Sequence, residues 1–327
     1  MTDAPRFTVL VADAIAKAGL TPLADDGRFT LITKPGLAGD DLAAAIAGAD
    51  AVLVRSATKI TRASLARADK LRVIGRAGVG IDALDVDAAT ERGIAVLTAP
   101  AGNTISAAEL AFALMLSLVR RLPAADRSMK SGEWDRKSFS GTELFGKTLG
   151  LVGAGRIGAE VAKRARAFGM RVICFDPFIS EERANSLGIE LAPLDEMLSH
   201  ADVLSIHAAL TAETAGLIGA AQLARMKKGA FLVNAARGGI VSEEALADAL
   251  LSGHLAGAAL DVFFEEPLPK EHPLRSAPNI VLTPHLGAST AEAQHNVSVE
   301  IAQAVRAALI DGDVSGAVNV KGLAPRG

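Results

Sequence analysis

The feature that most constrains this chain is a rhythm of short aliphatic and β-branched runs, each followed by an Ala-rich helical pattern. The first part holds FTVLVA, FTLIT, AVLVR, RVIGR and IAVLTA. From about Lys147 the rhythm restarts with KTLGLVGAG, RVICFD, DVLSIH, AFLVNA, AGAALDV and NIVLTPH. Strands alternating with helices are the pattern of an α/β architecture with parallel sheets. So many strands exceed the usual size of one open sheet, so two sheets are expected.

At 327 residues the chain is long enough for two domains, each with its own core. Half its residues are apolar, with alanine the commonest, there are 31 glycines besides, and there is no tyrosine; that mix suits tightly packed helix-on-sheet layers. A formal net charge of −3 supplies no basic field for nucleic acid or an anionic membrane. The lone Cys174 excludes an intramolecular disulfide, fits a reducing compartment, and reads as a small core residue inside MRVICFD. MTDAPRF lacks the apolar segment of a signal peptide. The longest apolar run, Leu110–Val119, is too short to span a bilayer and lies between Glu109 and Arg120. A cytoplasmic protein is expected.

Between the halves a long helix is predicted over NTISAAELAFALMLSLVRRL, with Pro123 just after it. A polar stretch, AADRSMKSGEWDRKSFSGTELF, then carries the only tryptophan, Trp134; stretches this long without a strand are usually functional or partner-facing. A last helix is predicted from about Ser289 to Leu309.

LGLVGAGRIGAEVAKRA places Gly153, Gly155 and Gly158 directly after a strand and at the start of a helix. In that context Gly153 makes the turn, Gly155 admits a pyrophosphate to the backbone, and Gly158 lets helix and strand pack closely. The helix N-terminus then offers free N–H groups to phosphates. The bland alternative is a tight turn with no ligand. Against it, the next strand ends in Asp176, whose carboxylate suits ribose hydroxyls and repels a 2′-phosphate. With no arginine in the following PFIS, NAD is expected rather than NADP.

In open α/β sheets the chemistry gathers at the carboxyl ends of strands. There the sequence places Arg237 in ARGG, Asp261, Glu265 and Glu266 in DVFFEEP, His285 in TPHLGAS, and His207 in SIHAAL. A nicotinamide dehydrogenase needs a proton acceptor, which histidine suits near neutral pH, and a carboxylate to hold the imidazolium. It also needs an arginine fork for a substrate carboxylate. Arg237, one glutamate of the pair, and His285 fill these roles. His207 is the rival base, since it also ends a strand, and spacing leaves Glu265 and Glu266 undistinguished. Each residue also has a plain alternative, a solvated turn or a surface ion pair. No HExxH, Cys cluster or GxSxG suggests a metal site or a serine nucleophile.

GRAGVGIDALD, NTISAAELA, GEWDRKSFSGTEL, GKTLGLVGAGRIG, FDP, NAARGGIVSEEAL, ALDVFFEEP and PHLGAST, in this order, resemble the D-isomer-specific 2-hydroxyacid dehydrogenases over nearly the whole chain. The resemblance implies two Rossmann-like or flavodoxin-like parallel-sheet domains: an NAD-binding domain over 100–284, inserted in a discontinuous substrate-binding domain of 1–99 and 285–327. It implies Arg237, Glu266 and His285 as the catalytic set, the glutamate before the proline being the histidine's partner. It assigns the cofactor to Gly153, Gly155, Arg156, Ile157, Gly158, Asp176, His207, Ala236, Asp261 and Gly287. His207 becomes a cofactor neighbour.

Trp134 and SFSGTEL resemble one branch of the family, and that resemblance implies a phosphorylated 2-hydroxy acid, 3-phosphoglycerate, as substrate at the first step of serine synthesis. The resemblance then places the substrate carboxylate against the amides of Gly78 and Val79, and the phosphate near Arg55 and Arg76. Arg136 or Lys137 on the Trp134 arm is expected to reach it from a partner subunit of a homodimer or larger homo-oligomer. Many members of that branch carry a C-terminal serine-sensing domain, which would begin where this sequence ends, so a short form without it is expected. The alternatives are a hydroxypyruvate or glyoxylate reductase with the same triad and, more distantly, an NAD-responsive binding protein without turnover.

Overall fold

The computed structural model describes residues 6–323. Its chain divides into two compact units, one made of the chain up to Asn103 and again from Thr290, the other of Thr104–Ser289.

In the first unit the strands are β1 (Phe7–Val11), β2 (Phe29–Thr33), β3 (Ala51–Val54), β4 (Val73–Arg76) and β5 (Ala95–Thr98). They form a parallel sheet in the order β2-β1-β3-β4-β5. Every residue of β3 is fully buried, which explains why its sequence is continuously apolar rather than alternating: helices cover both faces of a parallel sheet. One covering helix is Ala291–Ile310, whose Thr290 side chain caps it by accepting from the Ala293 amide at 3.1 Å. Its buried Val297, Ile301 and Val305 lie in one cluster with Val9, Leu53 and Val73.

The second unit holds β6 (Thr148–Val152), β7 (Arg171–Phe175), β8 (Glu190–Leu191), β9 (Val203–Ile206), β10 (Phe231–Asn234), β11 (Gly257–Leu260) and β12 (Ile280–Leu282). Among the described residues these make a second parallel sheet, ordered β12-β11-β10-β9-β6-β7-β8. The chain runs outward from β6 through β7 to β8, then returns through the helix Leu194–His200 to pair β9 on the other side of β6. The strand order therefore reverses at β6 and β9, where open α/β sheets bind their ligands. Cys174 lies in β7 with no exposure, and burial pushes its thiol up to about 12, so it stays a protonated core group at neutral pH.

The two expected sheets are present, with one strand more than the sequence suggested. β8 is a two-residue edge strand, too short to show a pattern. The long helix spans Thr104–Val119, and a second helix, Leu122–Lys130, runs into the polar stretch in which the sequence shows no strand. Pro123 does not merely follow the first helix: it sits in the opening turn of the second, where its missing N–H costs nothing. Arg121, at φ 54°, makes the break between them. Among the described residues no helix is long and apolar enough to cross a membrane.

Candidate active site

The switch point is built by the glycine loop after β6. Gly153 has φ 91°, and a side chain there would stand 2.8 Å from the carbonyl oxygen of His207 at the end of β9. Gly158 packs so closely that a Cβ would overlap the Gly153 carbonyl. Both positions therefore require glycine for packing. Gly155 differs: nothing lies within 4 Å of where its Cβ would be, and it caps the helix Arg156–Ala167 without a side chain. The helix thus begins beside open space at the Gly155 position, and the positive end of its dipole makes this N-terminus a cradle suited to a pyrophosphate.

Asp176, just past β7, is pinned beside this loop. Its Oδ2 accepts from the Ala154 amide at 2.8 Å and its Oδ1 from the Phe178 amide at 2.9 Å, leaving each oxygen a further lone pair. A cavity of about 280 Å³ opens next to it between Phe175, Asp176, Pro177, Ala192 and Pro193, a mostly apolar recess. The loop, the carboxylate and the recess together fit a pyrophosphate, a ribose and an adenine.

Three further strand-end loops bring the polar set together. After β10, buried Asn234 holds the turn: its Oδ1 accepts from the Ala236 amide at 3.1 Å and its Nδ2 donates to the Arg237 carbonyl at 2.9 Å. The half-buried Arg237 guanidinium donates to the Ala236 carbonyl at 2.6 Å. After β11, Glu266 accepts from the Phe263 amide at 3.1 Å with Oε1, while its Oε2 lies 2.7 Å from Nδ1 of His285. The carboxylate at the mouth of that strand therefore pairs with His285.

After β12, His285 adopts φ 56°, and the loop that holds it is organised by Asp261. That carboxylate is fully buried and accepts from Thr283 Oγ1 at 2.6 Å, the Leu286 amide at 2.8 Å and the Gly287 amide at 2.9 Å. The family resemblance implies a cofactor role for Asp261; its hold on the His285 loop leaves no local signal in the sequence, because those contacts span more than twenty positions of chain.

In the first unit, Arg55 follows β3 and Arg76 ends β4, and since Val54 pairs with Arg76 they stand at neighbouring strand ends. Buried Asp13 fixes the Arg55 backbone, accepting from its amide at 2.5 Å and from Thr58 Oγ1 at 2.8 Å. The Arg76 guanidinium lies over Gly78 and donates to the Ala77 carbonyl at 3.0 Å, and Val79 is exposed. The segment with Trp134, Arg136 and Lys137 is exposed, Trp134 at 76%. It is tied down at its far end, where Arg121 donates to the Ser138 carbonyl at 2.6 Å and to Asn279 at 2.9 Å.

Residues 112–287 match the family model described as "D-isomer specific 2-hydroxyacid dehydrogenase, NAD binding domain". The chain belongs to this family. It is 51% identical over 314 residues to the D-3-phosphoglycerate dehydrogenase of Mycobacterium tuberculosis, covering 96% of this chain and 59% of that protein. The chain spans about three fifths of the length of the curated relatives it matches. Among solved structures it superposes on a glyoxylate reductase from Paecilomyes thermophila with a TM-score of 0.87 and 32% identity, covering 97% and 99% of the two chains. It also superposes on an NAD-dependent formate dehydrogenase from Staphylococcus aureus in complex with NAD, with a TM-score of 0.79, 32% identity and coverage of 93% and 96%.

This member of the family thus carries a domain matching the family's NAD-binding domain, and the glycine loop, Asp176 and the adjoining recess offer groups of the kind such a cofactor requires. Gly155→Val should weaken NADH binding at least about tenfold with little change in melting temperature, because the added side chain meets no protein atom and fills only the cradle. Fluorescence titration with NADH checks this; unchanged affinity would remove the pyrophosphate from the loop.

His207 differs from His285 in having no carboxylate on its ring. Its Nε2 lies 2.8 Å from Ser205 Oγ, and burial lowers it from 6.5 to about 4, so it is neutral at physiological pH. Because the unfolded chain takes up that proton first, stability from this group is full above about 6.5 and is lost as pH falls toward 4. Denaturant titrations across that window should show a shallower slope in His207→Asn than in the wild type. Equal slopes would mean that the native imidazole is protonated freely.

Proposed function

We propose that this protein oxidises 3-phospho-D-glycerate to 3-phosphohydroxypyruvate with NAD, the first step of L-serine biosynthesis, as a homo-oligomer in the cytoplasm. The observation that carries the chemistry is the His285–Glu266 pair at 2.7 Å, beside the turn that presents Arg237. NAD, held by the glycine loop and Asp176, would supply the acceptor for the hydride leaving C2 of the hydroxy acid.

His285 accepts the hydroxyl proton at Nε2, since Nδ1 is committed to Glu266, and Glu266 stabilises the resulting imidazolium. Arg237 binds the substrate carboxylate and polarises the developing carbonyl. In the first unit, the family resemblance assigns the amides of Gly78 and Val79 to the substrate carboxylate and Arg55 and Arg76 to its phosphate. Trp134, Arg136 and Lys137 serve the partner subunit. The name carried by relatives at 51% identity supports the phosphorylated acid over glyoxylate, whose named reductase is 32% identical.

Initial rates of NADH oxidation with 3-phosphohydroxypyruvate, hydroxypyruvate and glyoxylate, compared side by side, test the assignment. The phosphorylated acid should lead in kcat/KM by at least about a hundredfold, the scale of a charge-assisted subsite. Comparable rates would make this a general hydroxyacid reductase. NADH binding without turnover of any of the three would make it a binding protein.

A further inference from the structure

We propose that Glu243, held by His272, is a positioning residue that fixes the turn carrying Glu266; this rests on the reading that Glu266 serves His285.

Glu243 and Glu244 open the helix Glu243–Leu251, where acidic side chains ordinarily point to solvent and favour the helix dipole. Glu244 is exposed in that way, but Glu243 is buried, at 7% exposure. A carboxylate is buried at a cost unless its lone pairs are met, so its partners show what the burial serves. Its Oε1 accepts from the Phe264 amide at 2.7 Å, and its Oε2 lies 3.1 Å from Nε2 of His272. Nδ1 of His272 accepts from the Leu274 amide at 3.3 Å, which leaves the proton on Nε2, aimed at Glu243.

The turn after β11 is thereby held by two carboxylates on adjacent amides: Glu266 on Phe263 and Glu243 on Phe264. The Phe264 side chain is 83% exposed, with one ring edge near Gly239, so Glu243 supplies the hydrogen bond that fixes its backbone. A side chain on Gly238 would overlap the Phe263 carbonyl, so the Arg237 turn packs directly on the same segment. Through the Phe264 amide, Glu243 thus ties the Glu266 turn to the helix that follows the Arg237 loop.

Glu243→Ala is expected to lower kcat/KM at least about tenfold with NADH affinity within about twofold. Glu243→Gln, which keeps an acceptor for Phe264, should restore most of the loss. In a Glu266→Ala background Glu243→Ala should cost under about twofold more, since the group it positions is gone. Full activity in Glu243→Ala, an undiminished cost in the Glu266→Ala background, or loss of NADH binding together with turnover would overturn the proposal.

Should Glu243→Ala not fold, His272→Ala, which frees one oxygen of Glu243, takes its place with the same outcomes. If the wild-type protein turns over none of the acids, the functional reading fails while the positioning claim stays measurable. ¹⁵N shifts of the His285 ring should then change alike in Glu266→Ala and Glu243→Ala, and an unchanged His285 signal in Glu243→Ala refutes it.

Discussion

His285→Asn is expected to lower kcat on the order of a thousandfold with the acid the wild type turns over fastest, while NADH affinity stays within about twofold. The loss arises because the hydroxyl proton has no acceptor as hydride departs, and the Glu266 carboxylate, 2.7 Å from Nδ1, has no imidazolium to stabilise. Asparagine is the right replacement because His285 sits at φ 56°, a conformation that asparagine tolerates better than alanine does. A change in turnover then reports lost chemistry rather than a strained loop. Glu266→Gln should fall between the wild type and His285→Asn, losing about ten- to a hundredfold, since an amide can still orient the ring but carries no charge. Steady-state rates of the variants, with NADH titrations alongside, decide the matter; near-normal turnover in His285→Asn would remove His285 from the reaction.

Arg237→Lys should be almost as damaging as Arg237→Ala, each lowering kcat/KM by about a thousandfold, with both a raised KM and a reduced kcat. The guanidinium offers two parallel donors to a carboxylate and a further one to the developing carbonyl oxygen, whereas an ammonium offers a single point of charge. The turn that presents it is rigid, clamped by Asn234 on both sides and packed on Phe263 through Gly238, so a shorter or differently shaped head cannot be carried to the substrate by backbone movement. If Arg237→Lys keeps kcat/KM within a few-fold, the carboxylate is bound elsewhere, and the amides of Gly78 and Val79 become the first place to look.

The sequence by itself determined what depends on neighbours in the chain. The strands of both sheets were legible because parallel strands buried on two faces need unbroken apolar runs, as in the fully buried Ala51–Val54. The glycine loop was legible because its turn, its cradle and its helix start occupy consecutive residues, and Asp176 was visible at the end of the next strand. Errors came where local signals were ambiguous. Pro123 marks a helix start as well as a helix end, so Leu122–Lys130 was hidden, and Glu190–Leu191 is too short to carry a period.

Residue type and spacing left the pairings open, and beyond what the family resemblance implied only tertiary structure decided them. Glu266 and not Glu265 meets His285 across nineteen residues of chain, while His207 turns to Ser205 instead of a carboxylate. Buried Asp261 reaches across to hold the His285 loop, and Glu243 bonds an amide twenty-one residues away. Residue type and spacing say which groups stand at strand ends; which of them come within 3 Å depends on how separate loops pack over a common sheet, and a hydrogen bond is decided at that scale.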